Sequence, residues 1–506
     1  MVTTLVLLGL YASLLVFLGI YSAKHSGTLT AFLVGGRSAG SWVSAFAYGS
    51  SFFSAVVFVG YAGRNGWDMG LYAVLIGVGN ALIGTYLAWR VLGERTRRVS
   101  AREKIKTLPG YFATRFQSPA MRTVAALIIF CFLLPYSASV YSGLSYMSEA
   151  VLGLDYALCM LFLAGLTAFY VVLGGYRGSV LVDTLQGIVM TVVLAVILFN
   201  ITRQPELSGF AGAFRASAEA TAERVNLFGG TGPNLGFLIS MILLTSFGTW
   251  GLPQTLQKFF GIRDKKAVRR GASISAVFSL FISGGAYFIG ALSQVLLKNP
   301  PVDAEGAVLY DLIVPVMLQA RLPELLLSLL LVLLFAASMS TLSGLTLSAS
   351  SALSMDLIRP RFEKAMTEKR TLLLTRVFCV LFIAASYLIA YFKLPIIMLM
   401  GFSWGAVAGA FLGPFLLSLF WKRTTKAGAF SGMLSGLVFT VAAAVLSGFN
   451  AAYSSYIGVI AMALGLVATW GVSLVTKPLP AAHVARFFEF EPEGEADARR
   501  TLKDRA

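Results

Sequence analysis

Long apolar stretches alternate with short polar segments along almost the whole chain. Most of these stretches are about 20 residues long, which is the length that an α-helix needs to cross the hydrocarbon core of a bilayer. The pattern predicts an all-α integral membrane protein with about thirteen transmembrane helices. The predicted spans lie near residues 2–22, 43–63, 68–92, 121–149, 155–173, 179–201, 234–259, 272–297, 321–354, 369–391, 394–420, 426–447 and 452–475.

Basic residues are concentrated after spans three, seven, nine and eleven, in segments 95–106, 263–270, 359–370 and 422–426. Lysine and arginine in short loops favour the cytoplasmic side of a membrane. The connections that follow even-numbered spans are poorer in them: 62–68 contains Arg64 alone and 151–155 contains none. The distribution predicts a multi-pass protein of the cell (inner) membrane, with its N-terminus outside and its C-terminus in the cytoplasm.

Six regions follow from the span order. The first span is interpreted as a retained helix, because it is too long for a signal peptide and has no basic segment before it. Counting five spans from the start of each of two interrupted spans gives two repeats of similar length. Because each repeat has an odd number of spans, the second is inverted relative to the first in the membrane. The regions are an N-terminal helix and cytoplasmic lead-in (1–42), a first repeat (43–201), an external loop with a helical-looking stretch at 212–223 (202–233), a second repeat (234–420), two C-terminal helices (421–476) and a polar, partly disordered cytoplasmic tail (477–506).

Composition excludes several classes of function. With 57% apolar and 12% charged residues, the chain is far from a soluble domain, in which about a quarter of the residues are charged. Its formal charge of +17 is accounted for by the basic loops, so we expect no nucleic-acid partner. The three cysteines lie inside apolar spans and are interpreted as packing residues. Since the only histidines, His25 and His483, lie near a span end and in the tail, we expect neither an enzyme nor a histidine-based metal site. No feature indicates an obligate protein partner.

Two spans are interrupted by residues that weaken a helix. Residues 47–54 of span two contain Gly49 and three serines, and residues 246–254 of span seven contain Gly251 and Pro253. Free backbone groups at membrane depth are tolerated where they line a cavity. Two broken helices in corresponding positions of two halves therefore predict an ion and substrate site at the middle of the membrane. The alternative is a pair of kinks that serve packing alone.

Oxygen-bearing side chains mark two further spans. Ser340 and Ser343 lie one turn apart in span nine, with Thr341 beside them, and neutral hydroxyl and carbonyl oxygens suit a monovalent cation better than a divalent one. Alternatively, these hydroxyls bond to their own helix or join helix pairs. Asp183 lies near the predicted cytoplasmic start of span six, where a carboxylate faces a cavity or a partner. Helix capping, a pair with Arg177 and proton transfer remain alternatives.

Four sequence motifs in order resemble those of the sodium:solute symporter family, which includes proline, pantothenate, monocarboxylate, sialic acid and sugar symporters. They are Phe32 to Ser38, Gly174 to Ser179 followed by Asp183 to Gly187, Met339 to Ser343, and Phe420 to Arg423. The resemblance implies a LeuT-type fold, in which inverted five-helix repeats are joined by extra helices. It also implies a sodium-coupled secondary active symporter that imports a small organic solute by alternating access.

The resemblance further implies a sodium site with residues from two helices. Its ligands would be the carbonyl oxygens of Ser50, Phe53 and Ala337 and the hydroxyls of Ser340 and Thr341, with sodium as the co-transported ion.

Some members of the family have a second sodium site, at which Asp183 and Ser343 would be ligands. Because Gly344 stands where a further hydroxyl residue would be, we expect one sodium ion per cycle.

The solute is the least determined feature. Phe52 stands at the position of an acidic residue of the proline transporters, and Thr245 and Thr249 stand at two of their aromatic positions. Both breaks are closer to pantothenate and monocarboxylate members, so we expect a small carboxylate-bearing solute such as a monocarboxylate, a pantothenate-like compound or an amino acid. A proton-coupled symporter that uses Asp183, a channel and a transporter-like sensor remain alternatives. The residues predicted to line the solute cavity, for which packing is the alternative role, are Phe52, Ser54, Tyr136, Ser137, Thr249 and Trp250.

Overall fold

A computed structural model describes residues 2–24, 26–153, 155–229, 233–364 and 366–490 of the protein. His25 and the tail from residue 491 onward lie outside these ranges. Within the ranges the regular structure is helical, with two isolated β-bridges, which confirms the predicted all-α class. The α-helices are α1 (Val2–Ala23), α2 (Leu29–Val34), α3 (Ser41–Phe52), α4 (Ala62–Met69), α5 (Val74–Gly79), α6 (Glu94–Arg102), α7 (Leu108–Phe116), α8 (Pro119–Leu152), α9 (Tyr156–Ile201), α10 (Phe210–Arg224), α11 (Leu235–Phe247), α12 (Pro253–Phe260), α13 (Lys265–Ala291), α14 (Ser293–Leu296), α15 (Ile313–Arg321), α16 (Glu324–Ser351), α17 (Glu368–Ala390), α18 (Ile396–Phe420), α19 (Lys426–Leu446), α20 (Ser454–Val475) and α21 (Ala481–Phe488).

Shorter helical segments extend or join these helices. The π-helical segments are Val56–Tyr61, Asn80–Leu87, Trp89–Gly93 and Ala352–Ile358, and the 3-10 segments are Gly35–Arg37, Gly70–Ala73, Gly248–Trp250, Tyr310–Leu312 and Ala451–Tyr453.

The number of spans differs from the sequence-based expectation. In the described ranges, ten helical stretches are long and apolar enough to cross a membrane, or eleven if the bent pair α11–α12 counts as one span. Two of the ten, Val56–Arg102 and Tyr156–Ile201, run for 47 and 46 residues, whereas about 20 suffice for a bilayer. Each contains a glycine with a positive φ, Gly70 (55°) and Gly175 (53°), which a residue with a side chain would adopt only at a cost. If each long stretch is divided at its glycine and the bent pair counts as one span, the total is thirteen, so the predicted count stays a prediction.

Helix α16 occupies the centre of the bundle. It contacts α3, α8, α9 and α12, and from Leu330 to Ser351 its side chains are buried. The peripheral helices α1 and α19 instead expose apolar side chains such as Phe17 and Val438, where lipid would cover them. The hydroxyl residues of α16 are therefore far from lipid and need partners inside the protein.

Helices α18, α19 and α20 meet along a seam of glycines. A Cβ atom added to Gly413 of α18 would lie 2.6 Å from the carbonyl carbon of Gly465 in α20, and one added to Gly405 would lie 3.2 Å from the Cα of Gly458. Small residues allow helix backbones to approach closely in membrane proteins, where packing and not hydrophobicity drives helix association. The three helices thus pack backbone to backbone.

The basic segments meet at one end of the bundle, which we call the basic end. Arg97 donates a hydrogen bond to the carbonyl oxygen of Arg263 at 3.4 Å, and Arg486 pairs with Glu103 at 2.6 Å. That the basic end faces the cytoplasm stays a prediction.

The helical stretch predicted at 212–223 in the long loop is confirmed, because it lies within α10.

The tail contains an ordered helix at the basic end. Helix α21 buries Val484 and Phe487, which are three residues apart and therefore share one face. Phe487 lies 5.4 Å from the guanidinium of Arg115, and the Nε2 atom of His483 lies 3.1 Å from the Arg115 carbonyl oxygen. Residues 481–488 are ordered because this short amphipathic stretch has a surface to pack on, and partial disorder of the tail stays a prediction.

Candidate functional site

The first break interrupts the predicted second span. Helix α3 ends at Phe52, Phe53 is extended (φ −102°, ψ 110°), and helical backbone resumes at Ala55. The hydroxyl of Ser54 accepts a hydrogen bond from the backbone N–H of Val56 at 3.3 Å and so caps the resumed helix. Helix α8 passes close to this point, since a Cβ on Gly143 would lie 3.2 Å from the Ala55 carbonyl carbon. The interruption predicted from the sequence is confirmed.

The second break separates α11 from α12 with a bend of 43°. A 3-10 turn, Gly248–Trp250, follows α11, and α12 starts at Pro253, whose missing N–H is harmless in a first helical turn. The hydroxyl of Thr255 lies 2.6 Å from the Thr249 carbonyl oxygen and 2.8 Å from that of Leu252, so it satisfies backbone released by the bend. This break is also confirmed.

Hydroxyls of α16 meet the first break. The Oγ atom of Ser340 lies 2.8 Å from the carbonyl oxygen of Ser50 and 2.9 Å from that of Ala337. The Oγ1 atom of Thr341 lies 3.2 Å from the carbonyl oxygens of both Ser51 and Ala337. The cluster therefore unites two hydroxyls with carbonyls from two helices, all of them neutral oxygens of the kind that a monovalent cation accepts. Four of the five predicted sodium ligands lie in it; in place of Phe53, Ser51 supplies the carbonyl that Thr341 contacts.

Asp183 pairs with a lysine that sequence reasoning missed. The Nζ atom of Lys258 in α12 lies 2.6 Å from Oδ2 of Asp183, and the hydroxyl of Ser343 donates to Oδ1 at 3.3 Å. Asp183 is fully buried and Lys258 is 4% exposed. Lys258 lies within the predicted span 234–259, so a charged residue in an apolar span was the signal that could have identified it.

Two roles considered for Asp183 do not match the structure. Arg177 is not its partner, because six residues along a helix turn the side chain by about 240°, and Arg177 is exposed. Asp183 does not cap a helix start either, since the helix resumes just after Gly175 and Asp183 lies two turns inside it.

Three aromatic residues form a buried cluster beside the first break, which we call the aromatic box. The rings of Phe52 and Trp404 are stacked with centroids 6.1 Å apart, and Tyr136 meets Trp404 edge to face at 5.7 Å. The hydroxyl of Ser137, next to Tyr136, is buried without a hydrogen-bond partner. Phe52, Tyr136 and Ser137 were predicted cavity residues, whereas Trp404 was missed because α18 has no interruption to draw attention to it.

Of the remaining predicted cavity residues, Ser54 caps the helix after the first break, and Thr249 and Trp250 contact a neighbouring helix. The hydroxyl of Thr249 lies 2.7 Å from the Ser246 carbonyl oxygen and 3.2 Å from that of Gly84, and the indole N–H of Trp250 donates to the carbonyl oxygen of Ile83 at 3.1 Å. Both side chains thus hold the second break against the π-helical segment Asn80–Leu87 and have their polar atoms satisfied.

A cavity lies at each end of the bundle. The one at the basic end has a volume of 720 Å³ and is lined by Arg37, Lys106 and Arg359 among others. The one at the opposite end has a volume of 320 Å³ and includes Asp311, whose carboxylate accepts a hydrogen bond from the first N–H of α18 at 3.2 Å. Burial raises the pKa of Asp311 to about 6. The aromatic box is buried between these ends.

Comparisons by sequence point to transporters. A family model described as the sodium:solute symporter family matches residues 32–436. A sodium/proline symporter of Staphylococcus aureus is 30% identical over 497 residues, covering 94% of this chain and 93% of that protein. Sodium/proline symporter 2 of Staphylococcus saprophyticus is 28% identical over 487 residues, with the same shares covered.

Comparisons by structure identify the fold. A sodium-coupled sialic acid symporter in a substrate-bound, outward-open state matches with a TM-score of 0.77 at 18% identity, covering 94% of this chain and 98% of that one. A nucleobase-cation-symport-1 family transporter in a closed conformation matches with a TM-score of 0.51 at 15% identity, covering 91% and 98%. The match to the first of these confirms the predicted LeuT-type fold.

Proposed function

Because this chain belongs to the sodium:solute symporter family and is a sodium-coupled solute symporter, we propose that it imports a small carboxylate-bearing solute with a compact apolar body, with L-proline as the first candidate. The observation that carries this proposal is the aromatic box beside the first break. Stacked rings favour an apolar body, and the hydroxyl of Ser137, the residue after Tyr136, is buried without a hydrogen-bond partner and is therefore a candidate donor to a polar end. The relatives named as sodium/proline symporters support the choice of proline.

The first break supplies a place for a carboxylate. The helix that resumes at Ala55 begins three residues after Phe52 of the box, and a helix N-terminus attracts anions. No basic side chain is needed for such a contact. A carboxylate there would lie next to the break that also carries the carbonyl oxygens of Ser50 and Ser51.

We further propose that the hydroxyls of Ser340 and Thr341 and the carbonyls of Ser50 and Ala337 hold the sodium ion, with Phe53 or Ser51 completing its shell. The hydroxyls bond to these carbonyls directly, so ion binding replaces hydrogen bonds by ion–oxygen contacts. Sodium then changes the spacing between α16 and the first break. Because the solute meets the same break, the two ligands influence each other's affinity, which is the basis of coupling.

The proposal is tested with purified protein in proteoliposomes and radiolabelled L-proline. An inward sodium gradient should drive accumulation of proline above its external concentration, and a pH gradient alone should not. Competition by unlabelled lactate and pantothenate tests whether the transporter also accepts other carboxylate-bearing solutes. If proline is not carried, radiolabelled lactate and pantothenate are tested in the same way, and accumulation of either one would identify a different carboxylate as the solute. Equilibration without accumulation would indicate a channel, and failure of every carboxylate to be carried would contradict the proposal.

Phe52→Ala should weaken solute binding specifically. Removal of one stacked ring costs about 0.5–1.5 kcal/mol beyond lost area, so the KM for solute should rise about tenfold while the sodium dependence changes less. Phe247→Ala is the matched control, because its ring contacts that of Trp250 in a tilted arrangement, with centroids 5.2 Å apart, in the second break and away from the box. Equal KM values for Phe52→Ala and the wild type would place the solute elsewhere.

A further inference from the structure

One buried cation already lies among the residues predicted to hold a second ion. The ammonium of Lys258 is 2.6 Å from Asp183, whose other oxygen accepts the hydrogen bond from Ser343. Ser343 also contacts the carbonyl oxygen of Ser340 at 2.9 Å, so its hydroxyl connects the Asp183–Lys258 pair to a residue of the proposed sodium site.

The residues around this ammonium stabilise its positive charge. A buried lysine is costly unless a counter-charge pairs with it, and Asp183 provides one. The face of the Tyr176 ring lies 5.6 Å from the Nζ atom, within the range of a cation–π contact. The Tyr176 hydroxyl donates to the Lys258 carbonyl oxygen at 3.2 Å, which holds the lysine backbone in place.

The charge balance leaves nothing for a further ion. Asp183 and Lys258 sum to zero, and the other polar groups near the pair, Tyr11, Tyr170 and Gln186, are neutral side chains. A sodium ion beside Asp183 would have to displace an ammonium that the chain itself keeps at high local concentration.

We propose that the ammonium of Lys258 is a tethered cation that occupies the second ion site, so that this transporter binds a single sodium ion. This inference rests on the proposed sodium site at Ser340 and Thr341. It also assigns a role to the second break. Helix α12, which follows this break, carries Lys258, and the ammonium joins α12 to Asp183 of α9 and, through Ser343, to α16. In members of the family with a second sodium site, a sodium ion from solution would supply this charge.

The experiment counts sodium ions bound per chain, with radioactive sodium and purified full-length protein in the absence of solute. Wild type should bind one ion. Lys258→Met keeps the length of the side chain and removes its charge, so Asp183 becomes available and the count should double to two. Lys258→Arg keeps the cation and should bind one. Lys258→Met combined with Asp183→Asn should also bind one.

Several results would overturn the proposal. A count of two in the wild type contradicts it without any variant. A monodisperse Lys258→Met protein that still binds one ion shows that Asp183 does not attract sodium. If that variant is not recovered, the double variant decides, because a fall to zero would place Asp183 in the sole sodium site. Since no solute is used, a wrong choice of solute leaves these counts unaffected.

Discussion

Ser340→Ala should raise the sodium concentration for half-maximal uptake by about 10- to 100-fold, with expression near wild type. The substitution removes one oxygen from the proposed ion shell, and a bond to a charged group contributes about 1.5–3 kcal/mol. Alanine has a higher helix propensity than serine, so α16 itself loses nothing. The Ser340 hydroxyl bonds to the first break at 2.8 Å, whereas that of Thr341 does so at 3.2 Å, so we expect Thr341→Ala to have the smaller effect.

A second serine of α16 provides the control for this prediction. Ser328 is buried and lies 2.7 Å from the hydroxyl of Thr4, so Ser328→Ala also removes a hydrogen bond between two helices. Twelve residues separate it from Ser340, a rise of about 18 Å along the helix. Sodium dependence should remain that of the wild type in Ser328→Ala. Should Ser340→Ala and Ser328→Ala give the same sodium curve in uptake measurements, the ion is bound at another place.

Asp183→Asn should be among the most destabilising single substitutions in the chain. It leaves the ammonium of Lys258 buried without a counter-charge, which costs about 3–5 kcal/mol, whereas replacement of both partners is close to neutral. Thermal unfolding in detergent should show a large decrease for Asp183→Asn, with most of it recovered when Lys258→Met is added. Lys258→Met alone should be unstable in potassium buffer and more stable in sodium buffer, because sodium can then pair with Asp183.

An exposed ion pair gives the matched comparison. Lys393 and Glu149 are 3.3 Å apart, but their side chains are 48% and 46% exposed. Water screens such pairs, so Glu149→Gln should change stability by less than about 1 kcal/mol. If Asp183→Asn were as mild as Glu149→Gln, or if the added Lys258→Met lowered stability further, the two residues would not form a coupled buried pair. If Asp183 instead carries a proton, Asp183→Asn should abolish pH-driven accumulation without this loss of stability.

The elements that the sequence predicted best are those with a local cause. Glycine, proline and serine weaken a helix wherever they occur together, so both breaks could be predicted from segments of eight or nine residues. Ser340 and Thr341 were proposed from the hydroxyl residues grouped on one helix and from the resemblance to the family, and their role as sodium ligands stays a prediction. The contact of Thr341 with the carbonyl oxygen of Ser51, which was not among the predicted ligands, could not be predicted, because it depends on how α16 is positioned against α3.

The features that were missed depend on contacts between distant segments. Lys258 and Asp183 are 75 residues apart, and Trp404 reaches the aromatic box from an unbroken helix whose sequence is almost entirely apolar. Helix α21 of the tail was missed for the same reason. The average composition of the tail is polar, and eight residues with two apolar positions on one face form a helix because Arg115 and its neighbours offer a surface.

The glycine seam links the aromatic box to helices that contact the lipid. Trp404 belongs to α18, and α18 is packed backbone to backbone against α19 and α20, so a displacement of this ring that involves its helix must carry three helices together. The outer pair exposes side chains such as Val438 and Val467 to the surrounding acyl chains. Any shift of α18 would therefore require lipid to rearrange around a body three helices wide, so the acyl chains contribute to the free-energy cost of moving this ring.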